Sequence, residues 1–446
     1  PAPIYATNLT MGIIENKLKE HGMERIVKRK VVKFGQIINF GNFRIEFIKT
    51  NHSIVDAAAL AIYSPAGIVV HTGDFKVDYT PVFGDAIDLQ RFAEIGKKGV
   101  LALMCDSTNA ERPGFTQSEK TVGKTFDSLF AEYAGTRIII ATFASNVDRV
   151  QQIINSAYKF GRKVVVEGRS MVSIIDTAAS LGCLNVPDNT LINIEELKNY
   201  PDDRTVIITT GSQGESMAAL SRMAGGIHRK VSIGPNDTVI FSSHPIPGNE
   251  KAVSRIINEL YAKGARVIFQ DTHVSGHACQ EEIKLLYTLV HPKYAIPVHG
   301  EYRHLIAQAN LVKGLGYDSE NIFILSSGDV LEIGEDDAAV VGNIVLRDRQ
   351  HLAEDGILIV VMALESASNY LVSGPDIVSR GFVYVRESDE LIDGARGIVI
   401  DLMERFQERN VSDWGRIKAA IKDNLGDYLW KKTKRRPMIL PIIMEV

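Results

Sequence analysis

The feature that most constrains the fold of this chain is a repeated alternation of short apolar runs with helix-type segments from about residue 118 onward. The runs are RIIIATFAS, KVVVEG, TVIITTGSQG, TVIFSSHPIPG and ARVIFQDTHVSG, and each precedes a segment of about 10–15 residues with helical periodicity. Strands that are buried on both faces of a parallel sheet have such continuous apolar sequences, and helices connect them. The pattern therefore predicts βαβ units on a parallel sheet, with ligands bound at the carboxyl ends of the strands.

Outside this region the hydrophobic period changes. Residues 30–75 alternate in polarity with glycine at the turns, which predicts four or five strands joined by hairpins. Residues 10–21 have the spacing of a short amphipathic helix, and residues 99–107 have that of a buried strand. Strand-like runs follow residue 326, and residues 370–446 have the pattern of a small α+β unit. Together these patterns predict an α/β protein.

The composition excludes several classes of protein. Lys plus Arg number 50 and Asp plus Glu number 54, so the net charge of −4 excludes binding of nucleic acid by bulk positive charge, although a local basic groove is allowed. Cys105, Cys183 and Cys279 are too few and too scattered for a disulfide framework or a cysteine zinc site. We find neither a membrane-spanning apolar stretch nor the pattern of a signal peptide. We expect a soluble, cytoplasmic protein without a membrane partner.

Six titratable side chains stand where predicted strands end. They are His52, Asp74, Asp106, His273, His277 and His299. Imidazole and carboxylate groups on loops above a rigid sheet are the donors that suit zinc or manganese. A single such histidine is more often a hydrogen-bonded structural residue, and a single such aspartate more often serves a turn or a helix cap. Structural roles give no reason for six of them at the ends of separate strands, so the combination favours a metal site.

The ordered motifs of the chain resemble those of one family. The motifs are NHSIVDA, HTGDFK, CDSTNAERPG, TFASNVDRVQQ, TTGSQGE, SSHPIPGNE, HVSGHA and PVHGEYRHL. They resemble ribonuclease J, in the β-CASP branch of the metallo-β-lactamase superfamily, essentially from end to end. The resemblance implies a metallo-β-lactamase αββα sandwich interrupted by a β-CASP α/β domain with a parallel sheet. The implied boundaries are 1–117 and 281–345 for the sandwich, 118–280 for the β-CASP domain, 346–369 for a linker and 370–446 for a small C-terminal α+β domain.

The resemblance also implies roles for five of the strand-end residues. It places metal ligands at His52, Asp74 and His299, with the carboxylate of Asp74 bridging two divalent ions, zinc in the first place or manganese. It places Asp106 beside the ligands, where it orients their imidazoles, and His277 near the scissile phosphate, where it assists proton transfer. The catalytic set that we predict is therefore His277, Asp106 and Asp74.

One departure from the family pattern is large. The family motif His-x-His-x-Asp-His, which supplies four ligands, is absent, and no two histidines of this chain stand two positions apart. In the family the motif precedes the segment that PIYATNLTMGIIENKL resembles, so we expect that the chain lacks its first strands. That leaves two protein ligands per ion, below the usual three or four, and predicts poor metal binding by these residues alone. A smaller departure is Asp148, where many relatives would have histidine.

Three strand-to-helix loops carry the predicted contacts to RNA. Loops rich in glycine and serine before helix N-termini present backbone N–H groups that bind phosphates, although plain βα turns have the same composition. The predicted RNA- or phosphate-binding residues are Thr210, Gly211, Ser242, Ser243, His244, His273, Ser275 and Gly276. Arg149 and Arg169 are further candidates for contacts to the RNA backbone. The substrate implied by the resemblance is single-stranded RNA with a 5′-monophosphate.

The leading hypothesis is a two-metal ribonuclease. The resemblance implies 5′→3′ exonuclease and endonuclease activity in mRNA decay and rRNA maturation, and a homodimer, a tetramer or pairing with a sister subunit. One alternative is a catalytically weak paralogue that acts as an RNA-binding or scaffolding subunit. Another is a metallo-hydrolase for a small molecule, which the β-CASP-like segment disfavours.

Overall fold

The computed structural model describes residues 2–246, 248–269, 272–334, 337–341, 355–365, 370–380, 382, 389–408 and 413–445. The chain divides into two compact units, Pro1–Ile324 and Leu325–Val446. The strands of the first unit are β1 (Ile4–Ala6), β2 (Arg29–Val31), β3 (Ile37–Phe40), β4 (Phe43–Lys49), β5 (Ala58–Ser64), β6 (Gly67–His71), β7 (Val100–Asp106), β8 (Arg137–Ala141), β9 (Lys163–Glu167), β10 (Thr205–Thr209), β11 (Asp237–Phe241), β12 (Arg266–Ile268) and β13 (Pro292–Val298). Its α-helices are α1 (Asn8–Glu20), α2 (Leu89–Gly96), α3 (Lys120–Glu132), α4 (Val147–Lys159), α5 (Arg169–Ser180), α6 (Ala219–Ala224), α7 (Glu250–Ala262), α8 (Gln280–Val290) and α9 (Tyr302–Gly314).

A six-stranded mixed sheet carries the first half of the unit. Its strand order is β13-β7-β6-β5-β4-β3, with β13, β7 and β6 parallel and with antiparallel pairs from β6 to β3. A two-residue turn joins β3 to β4, and Gly41 adopts the positive φ of +62° that this turn needs. Helices α2 and α8 pack on this sheet, burying Phe92 and Tyr287. The hairpin-connected strands predicted for this part of the chain are confirmed.

A five-stranded sheet, all parallel, carries the second half. Its order is β12-β11-β8-β10-β9, and every residue of β8 and β10 is buried. Successive residues of a strand point to opposite faces. Ile138 and Ile140 therefore pack with α3, α4 and α5, while Ile139 packs with α6 and α7. The predicted βαβ units on a parallel sheet are confirmed, and so is the α/β fold class.

Some helices were not predicted from the sequence, and one predicted helix is shorter in the structure. Helix α3 was not predicted, although Val122, Phe126 and Phe130 recur at the four-residue spacing of one buried helix face. Helix α2 was not predicted either. The helix predicted from ESMAALSRMA is only six residues long, Ala219–Ala224.

The second unit consists of β14 (Val330–Ile333), β15 (Ala338–Val341), β16 (Ile357–Leu364), β17 (Leu371–Arg380), α10 (Asp389–Glu408), α11 (Trp414–Thr433) and β18 (Met438–Glu445). Its sheet has the order β17-β16-β18, and α10 and α11 pack on one face, where Leu358 and Leu425 are fully buried. Strand β16 lies within the predicted linker 346–369, so the part of that linker that the structure describes mainly belongs to this sheet. Residues 346–354 and 366–369 lie outside the described residues. The other predicted domain boundaries stay predictions.

Candidate metal centre and active-site cleft

Four strand ends meet at one edge of the six-stranded sheet. Strands β6, β7 and β13 are parallel neighbours, and β4 runs in the same direction because two antiparallel pairings separate it from β6. The residues that follow these strands are therefore brought to the same edge. They are His52 after β4, Asp74 after β6, Asp106 at the end of β7 and His299 after β13.

Asp74 lies between two imidazoles. Its Oδ2 is 3.8 Å from Nε2 of His52, and its Oδ1 is 3.7 Å from Nε2 of His299. Each carboxylate oxygen thus faces a different histidine. His299 reaches this position from a left-handed backbone, with φ +65°, directly after β13. The geometry is that of a carboxylate which can bridge two cations.

His277 and Asp106 form a hydrogen-bonded pair next to these residues. Nδ1 of His277 is 2.7 Å from Oδ2 of Asp106, and Oδ1 of Asp106 accepts from the N–H and the hydroxyl of Thr108. Burial lowers the pKa of His277, but the hydrogen bond and the charge of Asp106 outweigh it, so the net pKa is raised. Burial likewise raises the pKa of Asp106, and His277 and Thr108 outweigh that effect and lower it. The imidazole ring of His277 lies 4.8 Å from that of His52 and 5.4 Å from that of His299, centroid to centroid.

The orientation of His52 is set by the backbone of Gly276. Nδ1 of His52 is 2.9 Å from the carbonyl oxygen of Gly276, and because a carbonyl only accepts, Nδ1 carries the proton and Nε2 the lone pair. Burial lowers the pKa of His52, and the neighbouring His277 lowers it further, which favours the neutral form that ligates metals. A Cβ on residue 276 would lie 2.5 Å from two ring atoms of His52. Only glycine permits this close approach.

The donor atoms at this edge fit divalent cations. The ligand atoms of His52, Asp74 and His277 lie within 4.8 Å of one another, and so do those of Asp106, His277 and His299. Both oxygens of Asp106 already accept hydrogen bonds, so that residue is suited to orienting His277, while Asp74 presents one oxygen toward each neighbouring histidine. Neutral imidazole and carboxylate are donors that zinc and manganese accept.

The cluster opens into a cleft of about 760 Å³. Its lining comes from the loops after strands of both sheets, from Phe143 and Ser145 after β8 to His299 and Arg303 at the start of α9. A cleft at the carboxyl ends of strands from two sheets is the place where such folds bind their substrates.

Three segments of the chain match domains of known protein families. Residues 135–260 match the ribonuclease J β-CASP domain, residues 265–325 match the Zn-dependent metallo-hydrolase RNA specificity domain, and residues 344–446 match the ribonuclease J C-terminal domain. Ribonuclease J2 of Bacillus subtilis (strain 168) is 42% identical over 465 residues, which cover 100% of this chain and 83% of that protein. The chain belongs to the ribonuclease J family.

Other ribonuclease J proteins match over similar lengths. Ribonuclease J 1 of Streptococcus pyogenes serotype M3 is 42% identical, and the alignment covers 99% of this chain and 82% of that protein. Ribonuclease J of Synechocystis is 40% identical, with coverages of 98% and 72%. A crystal structure of a protein of unknown function from Enterococcus faecalis V583 has a TM-score of 0.51 at 14% identity, over 76% of each chain, and so shares the fold. The metallo-β-lactamase and β-CASP fold class expected from the sequence is confirmed.

The structure brings half of the predicted RNA-binding residues of this ribonuclease J family member into the cleft. His244, His273, Ser275 and Gly276 line it. The rings of His244 and His273 meet edge to face at 4.8 Å, and Nδ1 of His273 is buried without a hydrogen-bond partner among the described residues. Burial, with the charge of Arg149 second, lowers the pKa of His273 to about 3, so this imidazole is neutral.

The other predicted contacts lie outside the cleft lining. Thr210, Gly211 and Ser243 do not line the cleft, and Gly211 and Ser243 are buried. Ser242 is fully buried, where its hydroxyl donates to the carbonyl of Thr272. The prediction of an RNA contact at Ser242 is therefore wrong, because no surface remains for a ligand.

Arg149 is also unavailable to RNA. Its guanidinium is 0% exposed and bonds both carboxylate oxygens of Glu119, the hydroxyl and carbonyl of Ser242 and the carbonyl of Thr272. These bonds tie the start of α4 to the ends of β11 and the loop after β12. The role of this arginine is structural.

Several residues of the cleft were not predicted from the sequence. Asn109 donates to the hydroxyl of Ser275 and to the carbonyl of His277, and so joins the loop after β7 to the loop before α8. Arg112 and Arg303 line the same cleft. The motif CDSTNAERPG contained two of these residues, but a single asparagine or arginine on a loop gives no signal of where its side chain lies.

A helix that crosses a membrane must be both long and apolar. None of the helices in the described part of the chain meets both requirements for crossing a membrane.

Proposed function

We propose that this ribonuclease J family member is a metal-dependent hydrolase of RNA phosphodiester bonds. The observation that carries the proposal is the placement of Asp74 between His52 and His299, beside the pair formed by His277 and Asp106. His52, Asp74 and His299 are the residues that would hold the cations. Bound divalent ions supply an activated water and neutralise charge on the phosphate.

His277 is the residue that would protonate the leaving oxygen. Asp106 holds its Nδ1, which leaves Nε2 available in the cleft, and the raised pKa keeps the imidazole protonated at higher pH than an isolated histidine. A general acid works best when its pKa lies near the working pH. Asp106 thus acts through His277 and not on the substrate itself.

The finer activity follows from the family. We propose 5′→3′ exonuclease and endonuclease activity on single-stranded RNA with a 5′-monophosphate, in mRNA decay and rRNA maturation, with two zinc or manganese ions. The names of the relatives, all ribonucleases J, support the substrate class. A cytoplasmic location is part of the same proposal.

Assembly into dimers, tetramers or a pair with a sister subunit is also proposed. The sheet of the second unit packs its helices on one face, and the other face exposes Val378, Leu440, Ile442 and Met444. Four large apolar side chains on one sheet face support a protein contact there.

The experiment uses the full-length protein and RNA labelled at one end, with Zn²⁺ or Mn²⁺. We expect wild type to cleave the RNA and Asp74→Ala to lower the rate by more than about 100-fold, which exceeds the effect of removing a residue that only supports a ligand. Asp176→Ala, which alters an exposed aspartate of α5, is the matched control and should cleave as wild type does. Equal cleavage by wild type and Asp74→Ala would show that the site assignment is wrong. RNA binding by wild type without cleavage would favour the scaffolding alternative.

A further inference from the structure

Two arginines line the active-site cleft, and they differ in their partners. Arg303 is neutralised, because its guanidinium donates to the carboxylates of Glu301 and Glu111. Arg112 is exposed, and its side chain has no hydrogen bond or ion pair within the described part of the chain. Its neighbour Glu111 does not neutralise it, because that carboxylate already faces Arg303 and lies 3.7 Å from Nε2 of His304. Among the described residues, the other charged side chains of the lining, Glu111, Glu301 and Arg303, pair with one another, and Arg112 has no such partner.

The backbone of Arg112 is fixed relative to the candidate active site. Its N–H donates to the carbonyl of Asn109 at 2.9 Å, and its carbonyl accepts from the N–H of Gln280, the first residue of α8, at 3.0 Å. The side chain of Asn109 in turn bonds Ser275 and the carbonyl of His277. The loop that carries Arg112 is thus joined to the segment that carries His277. The backbone of Arg112 is held in place, while its guanidinium has no partner among the described residues.

The positive charge of Arg112 contributes to the lowered pKa values of two histidines of the cleft. Burial lowers the pKa of His244, and the charge of Arg112 is the next cause. Arg112 also contributes to the lowered pKa of His273, after burial and the charges of Arg149 and His244. An anion that paired with this guanidinium would relieve these repulsions.

We propose that Arg112 binds a phosphodiester group of the RNA strand that occupies the cleft. This contact sets the position of the strand relative to the imidazole of His277. The inference rests on the proposed function and deepens it, since it names a positioning residue for the same site. A guanidinium presents a planar fork of N–H donors that matches two phosphate oxygens, which an ammonium group does not. A free, exposed arginine on an anchored loop has this fork available.

The test compares Arg112→Ala with Arg255→Ala in the full-length protein. Both variants remove an exposed arginine, but Arg255 lies on α7 beside Glu259 and does not line the cleft. We expect Arg112→Ala to raise KM for RNA by about 10- to 100-fold with a smaller change in kcat, as expected for loss of one charge-assisted contact. Arg255→Ala should change KM by less than about threefold. Arg112→Lys should restore part of the loss, because it returns the charge without the fork.

A second readout separates a phosphate contact from a structural effect. The affinity for single-stranded RNA, measured without divalent ions by fluorescence anisotropy, falls with salt, and each phosphate contact contributes about 0.7 to the slope of log K against log salt. We expect Arg112→Ala to reduce the slope by about that amount and Arg255→Ala to leave it unchanged. RNAs with a 5′-hydroxyl and with a 5′-monophosphate are compared, and an internal phosphodiester contact predicts the same loss for both.

The outcomes separate this inference from the proposed function. If wild type cleaves RNA and Arg112→Ala keeps the KM and the salt slope of wild type, the inference is wrong and the proposed function stands. A loss confined to RNA with a 5′-monophosphate also overturns it, because the guanidinium then binds the RNA terminus. If wild type binds RNA with an Arg112-dependent slope but does not cleave, the inference stands and the proposed hydrolase activity does not.

Discussion

Asp148 is a carboxylic acid buried where it cannot ionise freely. It is 6% exposed, and Oδ1 is buried without a hydrogen-bond partner among the described residues. Burial, together with the charge of Glu119, raises its pKa from the ordinary 3.8 to about 7, although Lys76 and Lys49 oppose the rise. A carboxyl whose pKa is higher in the folded state binds its proton more tightly there, so folding loses stability as pH rises from about 4 to 7. Replacement by the neutral isostere asparagine removes that loss.

The magnitude follows from the shift. The rise from 3.8 to about 7 is close to three units, and each unit corresponds to about 1.4 kcal/mol. Above pH 7 the ionised carboxyl therefore costs the folded state about 4 kcal/mol as an upper value. Between pH 5 and pH 8 linkage gives a change of about 2–3 kcal/mol. We expect the free energy of unfolding of Asp148→Asn, relative to wild type, to increase by that amount over this interval.

The assay is urea unfolding at pH 5, 6, 7 and 8, followed by circular dichroism. The chain has two tryptophans, Trp414 and Trp430, and both lie in the second unit, so tryptophan fluorescence does not report directly on the surroundings of Asp148. Asp127→Asn is the matched control. Burial raises the pKa of Asp127, but hydrogen bonds from Lys159 and Ser156 outweigh it and lower the pKa, so its effect on stability is lost only at acid pH.

Two results would refute the reasoning. A stability difference between Asp148→Asn and wild type that is constant from pH 5 to pH 8 would mean that Asp148 is ionised in the folded protein throughout. A difference that falls with rising pH would have the sign opposite to the one that a raised pKa gives. Asp127→Asn should give a constant difference in this interval.

Three other predictions concern contacts described above. Gly276→Ala should lower the affinity for Mn²⁺ or Zn²⁺ by about 10- to 100-fold in a calorimetric titration, because the new Cβ displaces the ring of His52, and an unchanged affinity would contradict this. Glu119→Gln should lower the free energy of unfolding, measured in urea, by about 3 kcal/mol, because the guanidinium of Arg149 then stays buried without a charged partner at position 119. A change below about 1 kcal/mol, on the order of a surface contact, would contradict this prediction. Leu425→Ala should destabilise the second unit by about 2–5 kcal/mol, read from tryptophan fluorescence, since the side chain is 0% exposed; a shift seen only by circular dichroism would argue against it.

Much of the fold could be predicted from local pattern alone. The apolar runs around Ile138–Ile140 and Val206–Ile208 are buried on both faces, and only a parallel sheet with helices on each side buries strands in that way. Helix α11 was missed because its buried residues, Ile417 to Leu429, stand among lysines and aspartates that hide the stripe. Strand β18 was missed because it pairs with β16, some 80 positions away along the chain.

Six candidates for the metal centre stand at strand ends in the sequence, and the resemblance to ribonuclease J selected His52, Asp74 and His299 as the predicted ligands. Parallel strands in one sheet bring their carboxyl ends to one edge, so His52, Asp74 and His299 meet although they are far apart in sequence. The residue types give their chemistry. The local pattern predicts the strands, and the order of parallel strands in the sheet brings the strand ends together.

Only the tertiary structure decided which polar residues face the cleft. Arg149 and Arg112 are both arginines on loops or helix starts, yet the first is enclosed by Glu119, Ser242 and Thr272, while the side chain of the second has no partner among the residues that the structure describes. The partners of Arg149 lie between 30 and 123 positions away in the sequence. Whether a charge is paired depends on such distant groups, and no local pattern records them. The sequence determined which residue types stand at the strand ends, and packing determined which charges remained free to meet a substrate.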